Sequence, residues 1–131
     1  MENYSNSKIV RELVKTKIWS AKSAYLGEKA GFKCEYCGRD LLASVNDYKD
    51  WQEDHIVPKS KGKPDDSVNN LAVSCRPCNV NWKSRWDPRT VSGQNASREG
   101  LIKAARQHIA KRKTEAMEDL ILFRKIVYGK S

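Results

Sequence analysis

Residues 69–83, NNLAVSCRPCNVNWK, pass from a polar turn through a short apolar run into a cysteine pair. The run LAVSC predicts a short buried strand. Cys75 ends this run, and Cys78 follows after a gap of two residues. This spacing lets both thiolates reach one metal ion from a tight turn. RPCNVNWKSRW then indicates the start of a helix, because Pro77 is tolerated in a first helical turn. The stretch therefore predicts a strand, a metal-binding turn and a helix in close succession.

A second cysteine pair, in CEYC, stands earlier in the chain and is followed by Gly38, a residue that suits a tight turn. Two CxxC turns together supply four thiolates, which is the ligand set of a tetrahedral structural zinc site. A redox-active CxxC motif is the alternative, but two pairs in a short basic chain favour the metal. The sequence therefore predicts one structural Zn²⁺ bound by Cys34, Cys37, Cys75 and Cys78.

The 37 residues between the two pairs exceed the spacing of a compact zinc ribbon. Within them, QEDHIVPKS places Asp54 and His55 side by side in a predicted strand that Pro58 closes. Neighbouring strand residues point to opposite faces, so both can serve one site only where the strand ends. A neutral imidazole accepts a proton from water near pH 7, and a carboxylate binds a hard divalent cation. Phosphodiester hydrolysis needs an activated water and neutralisation of charge on the phosphorane, and these two groups can meet those needs. The alternative interpretation is a surface pair or a hydrogen-bonded structural histidine.

Charge narrows the class of partner. The 131 residues carry a formal net charge of +9, which predicts attraction to polyphosphate and, most simply, to nucleic acid. The first ten residues, MENYSNSKIV, lack the apolar core of a signal peptide, and no segment approaches membrane-spanning length. We therefore expect an intracellular (cytoplasmic) protein without a membrane partner. In that compartment free, metal-binding cysteines are more common than disulfides.

The remaining sequence predicts helices on both sides of this centre. Apolar residues recur at helical spacing over residues 8–30, which predicts one N-terminal helix ended by Gly31. A second helical pattern runs over residues 98–128, with Ile102, Ala105, Ile109, Ala116, Leu120, Phe123 and Val127 on one side. We expect a single domain over residues 1–131, with the core at residues 34–86.

Taken together, the central motifs resemble the HNH nucleases of the ββα-metal class. The family pattern joins a first CxxC, an Asp-His pair at a strand end, a loop, an Asn-Leu dipeptide and a closing CxxC followed by His or Asn. Here these stand as CEYC, EDHIVPKS, NNLAVSC and CRPCNVNWKS, over roughly two fifths of the chain. The resemblance implies an α+β fold in which a ββα-metal core with one structural zinc is flanked by the two helices.

The resemblance also implies roles for four residues of an HNN variant. His55 matches the general base, Asp54 the metal-binding carboxylate, and Asn70 the central asparagine that holds the loop behind the histidine. Asn79 matches the third motif position, and its amide oxygen suits Mg²⁺ or Mn²⁺ better than zinc.

Two assignments stay open at this point. Many family members have a lysine three residues after the third motif position, whereas Lys83 lies four residues after Asn79. Asn81 is therefore an alternative ligand, although Asn79 and Lys83 would share one face of a helix. Asn69 competes with Asn70 in the same way, but the Asn-Leu junction favours Asn70.

Cations around the motifs are expected to contact DNA phosphates. The predicted set is Lys59, Lys61, Lys63, Lys83, Arg85 and Arg89. His108 is interpreted as a helix-face or phosphate-contacting residue, and Trp82 and Trp86 as core residues. The predicted function is metal-dependent hydrolysis of DNA phosphodiester bonds. The alternatives are a non-catalytic, zinc-stabilised nucleic-acid-binding module and an accessory subunit of a larger DNA-processing assembly, and a homodimer or a partner protein stays open.

Overall fold

Two short strands form an antiparallel sheet at the centre of the chain. The computed structural model describes residues 7–59 and 65–129, so the predicted phosphate contacts Lys61 and Lys63 lie outside the described residues. Within the described residues the fold is α+β, as predicted. The elements are α1 Lys8–Lys15, α2 Ala21–Ala30, α3 Val45–Lys49, β1 Trp51–His55, β2 Leu71–Cys75, a π-helix Pro77–Lys83, α4 Arg89–Ser92 and α5 Arg98–Tyr128.

The sheet register fixes what lies at each of its ends. Trp51 is opposite Cys75 at one end, and His55 is opposite Leu71 at the other. All five residues of β2 are buried, which explains its uninterrupted apolar sequence. Each strand spans roughly 17 Å, so the cysteine end and the histidine end of the sheet are separate environments.

The single helix predicted over residues 8–30 is wrong, because the chain forms two helices there. The Thr16 hydroxyl donates to the Leu13 carbonyl at 2.6 Å, and its oxygen also accepts from the Ile18 amide. Lys17 follows with a left-handed φ of 64°, which ends α1. Ser20 then begins α2 by accepting a hydrogen bond from the Ser23 amide at 3.0 Å. These local hydrogen bonds of Thr16 and Ser20 end one helix and begin another, although the apolar residues recur at helical spacing across the break.

An aromatic cluster joins this helical break to the sheet. Trp19 meets Trp51 edge to face, with ring centroids 4.9 Å apart, and also contacts Phe32 and Tyr48. Gly27 makes this packing possible, because a Cβ at that position would lie 2.6 Å from Phe32 and 2.8 Å from Trp51. The cluster thereby attaches α2 to the start of β1.

Helix α5 packs against the centre over residues 98–112, and near the end of this contact Arg112 Nη1 donates to the Trp82 carbonyl at 2.6 Å. Ile102, Ala105 and Ile109 are buried in the core, and the Arg98 guanidinium donates to both carboxylate oxygens of Glu35. Beyond Ile109 the predicted apolar side continues, but its large side chains are exposed. Among the described helices, none combines the length and the apolar character needed to cross a membrane.

Candidate active site and cysteine cluster

The four cysteine sulfurs converge on one point. All four Sγ atoms lie within 4.8 Å of one another, and the Cys37 and Cys75 sulfurs are 3.7 Å apart. A disulfide would need a separation of about 2 Å. A tetrahedral zinc ion with Zn–S bonds of about 2.3 Å would instead hold its sulfurs about 3.8 Å apart. The spacing is therefore compatible with the predicted structural zinc site.

Local backbone geometry shapes each cysteine turn. Gly38 takes a left-handed φ of 82° and donates its amide to the Cys34 carbonyl at 2.8 Å, closing the first turn. The second turn joins the end of β2 to the π-helix, so Cys75 and Cys78 belong to consecutive elements. The first turn is held to the sheet by the Glu35 amide, which donates to the Val73 carbonyl at 2.8 Å.

Electrostatics at the cluster favour a cation. Hydrogen bonds from Cys75 and Cys78 lower the pKa of the Cys34 thiol, which concentrates negative charge on one sulfur. The same contact with Cys34 raises the pKa of Cys75 to about 11 and that of Cys78 well above its usual value. Three of the four sulfur-bearing residues are buried, so the charge is poorly solvated. A divalent cation at the common point would offset it.

At the histidine end of the sheet, three of the four predicted catalytic residues line a single cavity. The cavity has a volume of about 200 Å³. Because β1 ends at His55, the chain turns there, and Asp54 and His55 both reach the cavity despite being neighbours in a strand. The described lining residues are Glu53, Asp54, His55, Pro58, Lys59, Asn79, Ser84 and Arg85.

Asp54 is a buried carboxylate with two strong partners. The Tyr36 hydroxyl donates to Asp54 Oδ2 at 2.6 Å, and the Lys83 ammonium lies 3.1 Å from the same oxygen. Burial raises the pKa of the Asp54 carboxyl, and the positive charge of Lys83 opposes that shift. Burial also raises the pKa of Tyr36 well above its usual value, so the phenol keeps its proton and acts as a donor. Both contacts end on Oδ2.

The prediction that Lys83 contacts nucleic acid is wrong, because its side chain is 0% exposed. Its ammonium also donates to the His55 carbonyl at 3.1 Å. Lys83 therefore lies beneath the cavity and ties together the backbone of one predicted catalytic residue and the carboxylate of the other. A charge fully removed from water is stable only with such partners.

A carboxylate on the loop between the strands holds the His55 ring. Its Nε2 lies 2.6 Å from Asp66 Oδ1. The hydrogen bond with His55 lowers the pKa of the Asp66 carboxyl, which is therefore ionised and accepts. Nε2 then carries the proton in this pair, which leaves Nδ1 as the lone-pair nitrogen of the neutral ring.

Asn70 connects the loop to the chain that follows His55. Its Oδ1 accepts from the Val57 amide at 2.9 Å, and its Nδ2 donates to the Val57 carbonyl at 3.1 Å. The same Nδ2 donates to the Asp65 carbonyl at 2.9 Å. Asn70 is buried, whereas Asn69 is exposed and has no such set of contacts among the described residues. Both ends of the loop are thereby fastened by one amide.

Asn79 reaches the cavity from the π-helix. Its Nδ2 donates to Gln52 Oε1, which directs its own Oδ1 away from that contact. Asn81 is exposed and does not appear among the described lining residues of the cavity. The i→i+5 hydrogen bond from the Ser84 amide to the Asn79 carbonyl, 2.9 Å, takes one residue more per turn than an α-helix. This accounts for the extra residue between Asn79 and Lys83.

The other predicted phosphate contacts divide into two groups. Lys59 and Arg85 line the cavity and are exposed to solvent. Arg89 does not line it, and its guanidinium pairs with Asp87, with Nη2 2.7 Å from Oδ2. That pairing leaves Arg89 less suited to a phosphate than Arg85.

Three contributors were missed from the sequence: Tyr36, Gln52 and Asp66. Gln52 carried a usable signal, since it stands two residues before Asp54 and therefore shares a strand face with it. Tyr36 lies inside the first CxxC turn, and Asp66 lies in a polar loop. Neither local sequence indicates a contact with a residue that is distant along the chain. His108 stacks on Trp86 with ring centroids 4.0 Å apart, and burial lowers its pKa.

A family model described as HNH endonuclease matches residues 34–85. The match confirms the resemblance predicted from the cysteine pairs and the Asp54-His55 motif. The matched segment contains all four cysteines and every described residue that lines the cavity. Residues 34–85 are thus similar to the HNH family, and this similarity suggests nuclease activity. No curated protein and no solved structure gives a significant match to the chain.

Proposed function

We propose that this chain is a metal-dependent endonuclease that hydrolyses DNA phosphodiester bonds with a ββα-metal core. The observation that carries the proposal is the convergence of Asp54, His55 and Asn79 on one cavity at the end of the sheet. These residues come from a strand end and from a helix that are 24 positions apart in sequence at their closest. The core corresponds to β1, β2 and the π-helix, with the cysteine cluster as its structural zinc site.

His55 acts as the general base. Its Nδ1 takes a proton from the attacking water, and the ring becomes an imidazolium. The Asp66 carboxylate holds the ring through Nε2 and stabilises the positive charge that develops there. Asn70 positions the loop behind the ring by its bonds to Val57 and Asp65.

Asp54 and Asn79 are the residues that would hold the catalytic divalent cation, Mg²⁺ or Mn²⁺. Their donors are a carboxylate and an amide oxygen, which fit a hard cation. When bound, such an ion supplies neutralisation of charge on the phosphate and the leaving oxygen. Lys83 and Tyr36 both contact Asp54 Oδ2, so a cation held by this carboxylate would use the oxygen that they leave open, and Gln52 orients the Asn79 amide.

Lys59 and Arg85 contact the DNA backbone beside the cavity, since both line it and remain exposed. The formal net charge of +9 supports a polyanionic substrate. The family resemblance implies products with 5′-phosphate and 3′-hydroxyl ends.

Plasmid nicking tests this proposal. The full chain should nick supercoiled DNA in the presence of Mg²⁺ or Mn²⁺, and His55→Ala should lower the rate by about 10²–10⁴-fold. His108→Asn is the matched control, because it removes the other histidine of the chain, which stacks on Trp86 and is not among the described residues that line the cavity. It should keep its cleavage rate. Circular dichroism and zinc content should not change in either variant.

One observation favours a second candidate function, a zinc-stabilised DNA-binding module without catalysis. The Lys83 ammonium, 3.1 Å from Asp54 Oδ2, already supplies a cation to the carboxylate that the enzyme would use. A wild-type chain that binds DNA but cleaves neither duplex, branched nor single-stranded DNA with either metal would establish this module and reject the nuclease.

A further inference from the structure

The end of α5 carries an apolar face that the described part of the chain leaves uncovered. We define the distal segment of α5 as residues 113–128. Its large apolar residues are between 38% and 73% exposed. They are Met117, Leu120, Ile121, Leu122, Phe123, Ile126, Val127 and Tyr128. Eight large apolar side chains exposed within sixteen residues of one helix mark an interaction site.

The exposed face continues the stripe that packs in the core. Residues 102, 105 and 109 are buried, and steps of three, four or seven residues lead from them to Ala116, Leu120, Phe123 and Val127. The alternating three- and four-residue steps of these four residues form the a/d pattern of a two-helix contact. The same side of α5 therefore meets the core first and then has room for a second helix.

We propose that the distal segment pairs with the distal segment of a second copy of this chain, in antiparallel orientation. The arrangement has a two-fold axis at the level between Ile121 and Leu122. It places Leu120 beside the partner's Phe123 and Ala116 beside the partner's Val127. A single register thus matches every a/d position of the segment with an apolar residue of the other copy.

Sterics select the antiparallel direction. In this register the partner helix, which ends at Gly129, reaches only the level of residue 114 on the first copy. The core begins at Ile109, about 7 Å further along the helix axis, so the two do not collide. A parallel partner would run along the same face toward the core and overlap the volume that Ile102 and Ile109 occupy.

Charge supports a copy of this chain over other occupants. The chain as a whole carries +9, but the distal segment has three acidic and three basic residues. Its acidic residues come first and its basic ones after Phe123, apart from Lys113. In the antiparallel pair, Glu118 lies at the same height along the helix axis as the partner's Lys125, and Asp119 at the same height as the partner's Arg124. A helix that lies on a membrane surface would need a cationic polar face, whereas this one carries Glu115, Glu118 and Asp119.

Mass measurement in solution tests the pairing. Light scattering or sedimentation equilibrium of the full chain should show a shift from 15.0 kDa toward twice that mass as the concentration rises through the micromolar range, which is typical of a small apolar interface. Leu120→Glu or Phe123→Glu should weaken the association at least about 100-fold, because the new carboxylate is buried against apolar side chains. Val91→Glu is the matched control, since Val91 is 70% exposed but lies on α4; it should stay dimeric.

Cysteine pairs test the orientation. An Ala116→Cys/Val127→Cys variant should form disulfide-linked dimers on a non-reducing gel, because these positions face each other between copies. Either single variant should not, since each residue lies about 16 Å along the axis from its own counterpart. Self-linking of the single variants would indicate a parallel pair and overturn the proposal.

Two other results would also overturn it. One is a wild-type chain that remains monomeric at about 200 µM, well above the expected dissociation constant. The other is a monomer whose distal segment binds a different protein or anionic vesicles. None of these measurements uses cleavage, so the dimer and the nuclease proposal stand or fail separately.

Discussion

The two ends of the sheet use opposite physical chemistry. At one end, Cys75 lies opposite Trp51 beside the cluster of four cysteines, three of which are buried, and the half-buried aromatic cluster. At the other, His55 lies opposite Leu71 beside a cavity lined by charged side chains. The first end is suited to holding the fold and the second to binding and proton transfer. One small two-stranded sheet thus keeps the cysteine cluster and the charged cavity at opposite ends, in separate environments.

The histidine end of the sheet nevertheless depends on the cysteine end, whereas the cysteine end does not depend on the His55 side chain. Cys78 and Asn79 are consecutive, so one contributes to the cluster and the other to the cavity. Loss of the cluster must therefore disturb the cavity, whereas a change to the His55 side chain leaves the cluster intact. The following predictions test that asymmetry.

Removal of the proposed structural zinc should have the largest effect. A chelator strong enough to strip zinc should abolish both the folded circular-dichroism spectrum and DNA cleavage, because the small core depends on the four-sulfur site. Added Zn²⁺ should restore both. Omitting Mg²⁺ and Mn²⁺ is the matched control, and it should stop cleavage with no change in the spectrum. A chain shown by metal analysis to be zinc-free and still folded would mean that the cysteine cluster does not hold the fold.

Lys83→Met should cost about 3–5 kcal/mol of unfolding free energy, the effect of removing one partner from a buried ion pair. The loss would come from Asp54, whose buried carboxylate would keep Tyr36 but lose its cation. Lys59→Met is the matched control, because the same substitution is made at an exposed lysine that lines the cavity. Urea denaturation of both variants checks the difference. Equal stability of the two would mean that the ion pair does not hold this end together.

Sequence patterns predicted the centre and the C-terminal helix of this chain better than its N-terminal flank, for a physical reason. The cysteine spacing and the Asp54-His55 pair are short local patterns. Shared metal binding fixes the relative positions of the cysteines, and a strand end lets Asp54 and His55 reach one site, so both patterns could be interpreted from sequence alone. The split at Thr16 depended on hydroxyl hydrogen bonds that compete with helix formation by small energies, so periodicity alone missed it. The range 98–128 matches α5, because Ser97 caps its start and Gly129 its end.

The site itself was predicted in part. Its candidate residues Asp54, His55 and Asn79 do share a cavity, but the partners that hold two of them come from distant positions. Asp66 reaches His55 across a loop, and Tyr36 reaches Asp54 from the first cysteine turn. Lys83 was expected outside because lysine is usually exposed, and only the fold reveals its buried carboxylate partner.

Gly27→Ala should cost about 1–3 kcal/mol by overpacking the cysteine end, since its Cβ would lie within 3 Å of Phe32 and Trp51. Gly100→Ala is the matched control in α5, where the nearest atom to a new Cβ is 3.4 Å away. There, the better helix propensity of alanine should stabilise the chain by up to about 1 kcal/mol. Thermal denaturation measures both. Gly27→Ala should keep wild-type cleavage per folded molecule, because the substitution lies away from the histidine end; a lower rate would mean that packing at the cysteine end reaches the cavity.

Arg85→Gln should have the smallest effect, confined to the histidine end. Loss of one phosphate contact should weaken DNA binding and reduce the slope of log affinity against log salt by about 1. Arg89→Gln is the matched control, because Asp87 already pairs with that guanidinium and it lies outside the cavity lining. Its salt slope should equal that of the wild type, as measured by fluorescence anisotropy with a duplex. If Arg89→Gln lowers the slope as much as Arg85→Gln does, DNA binding extends beyond the cavity, and the histidine end is only part of a wider basic surface.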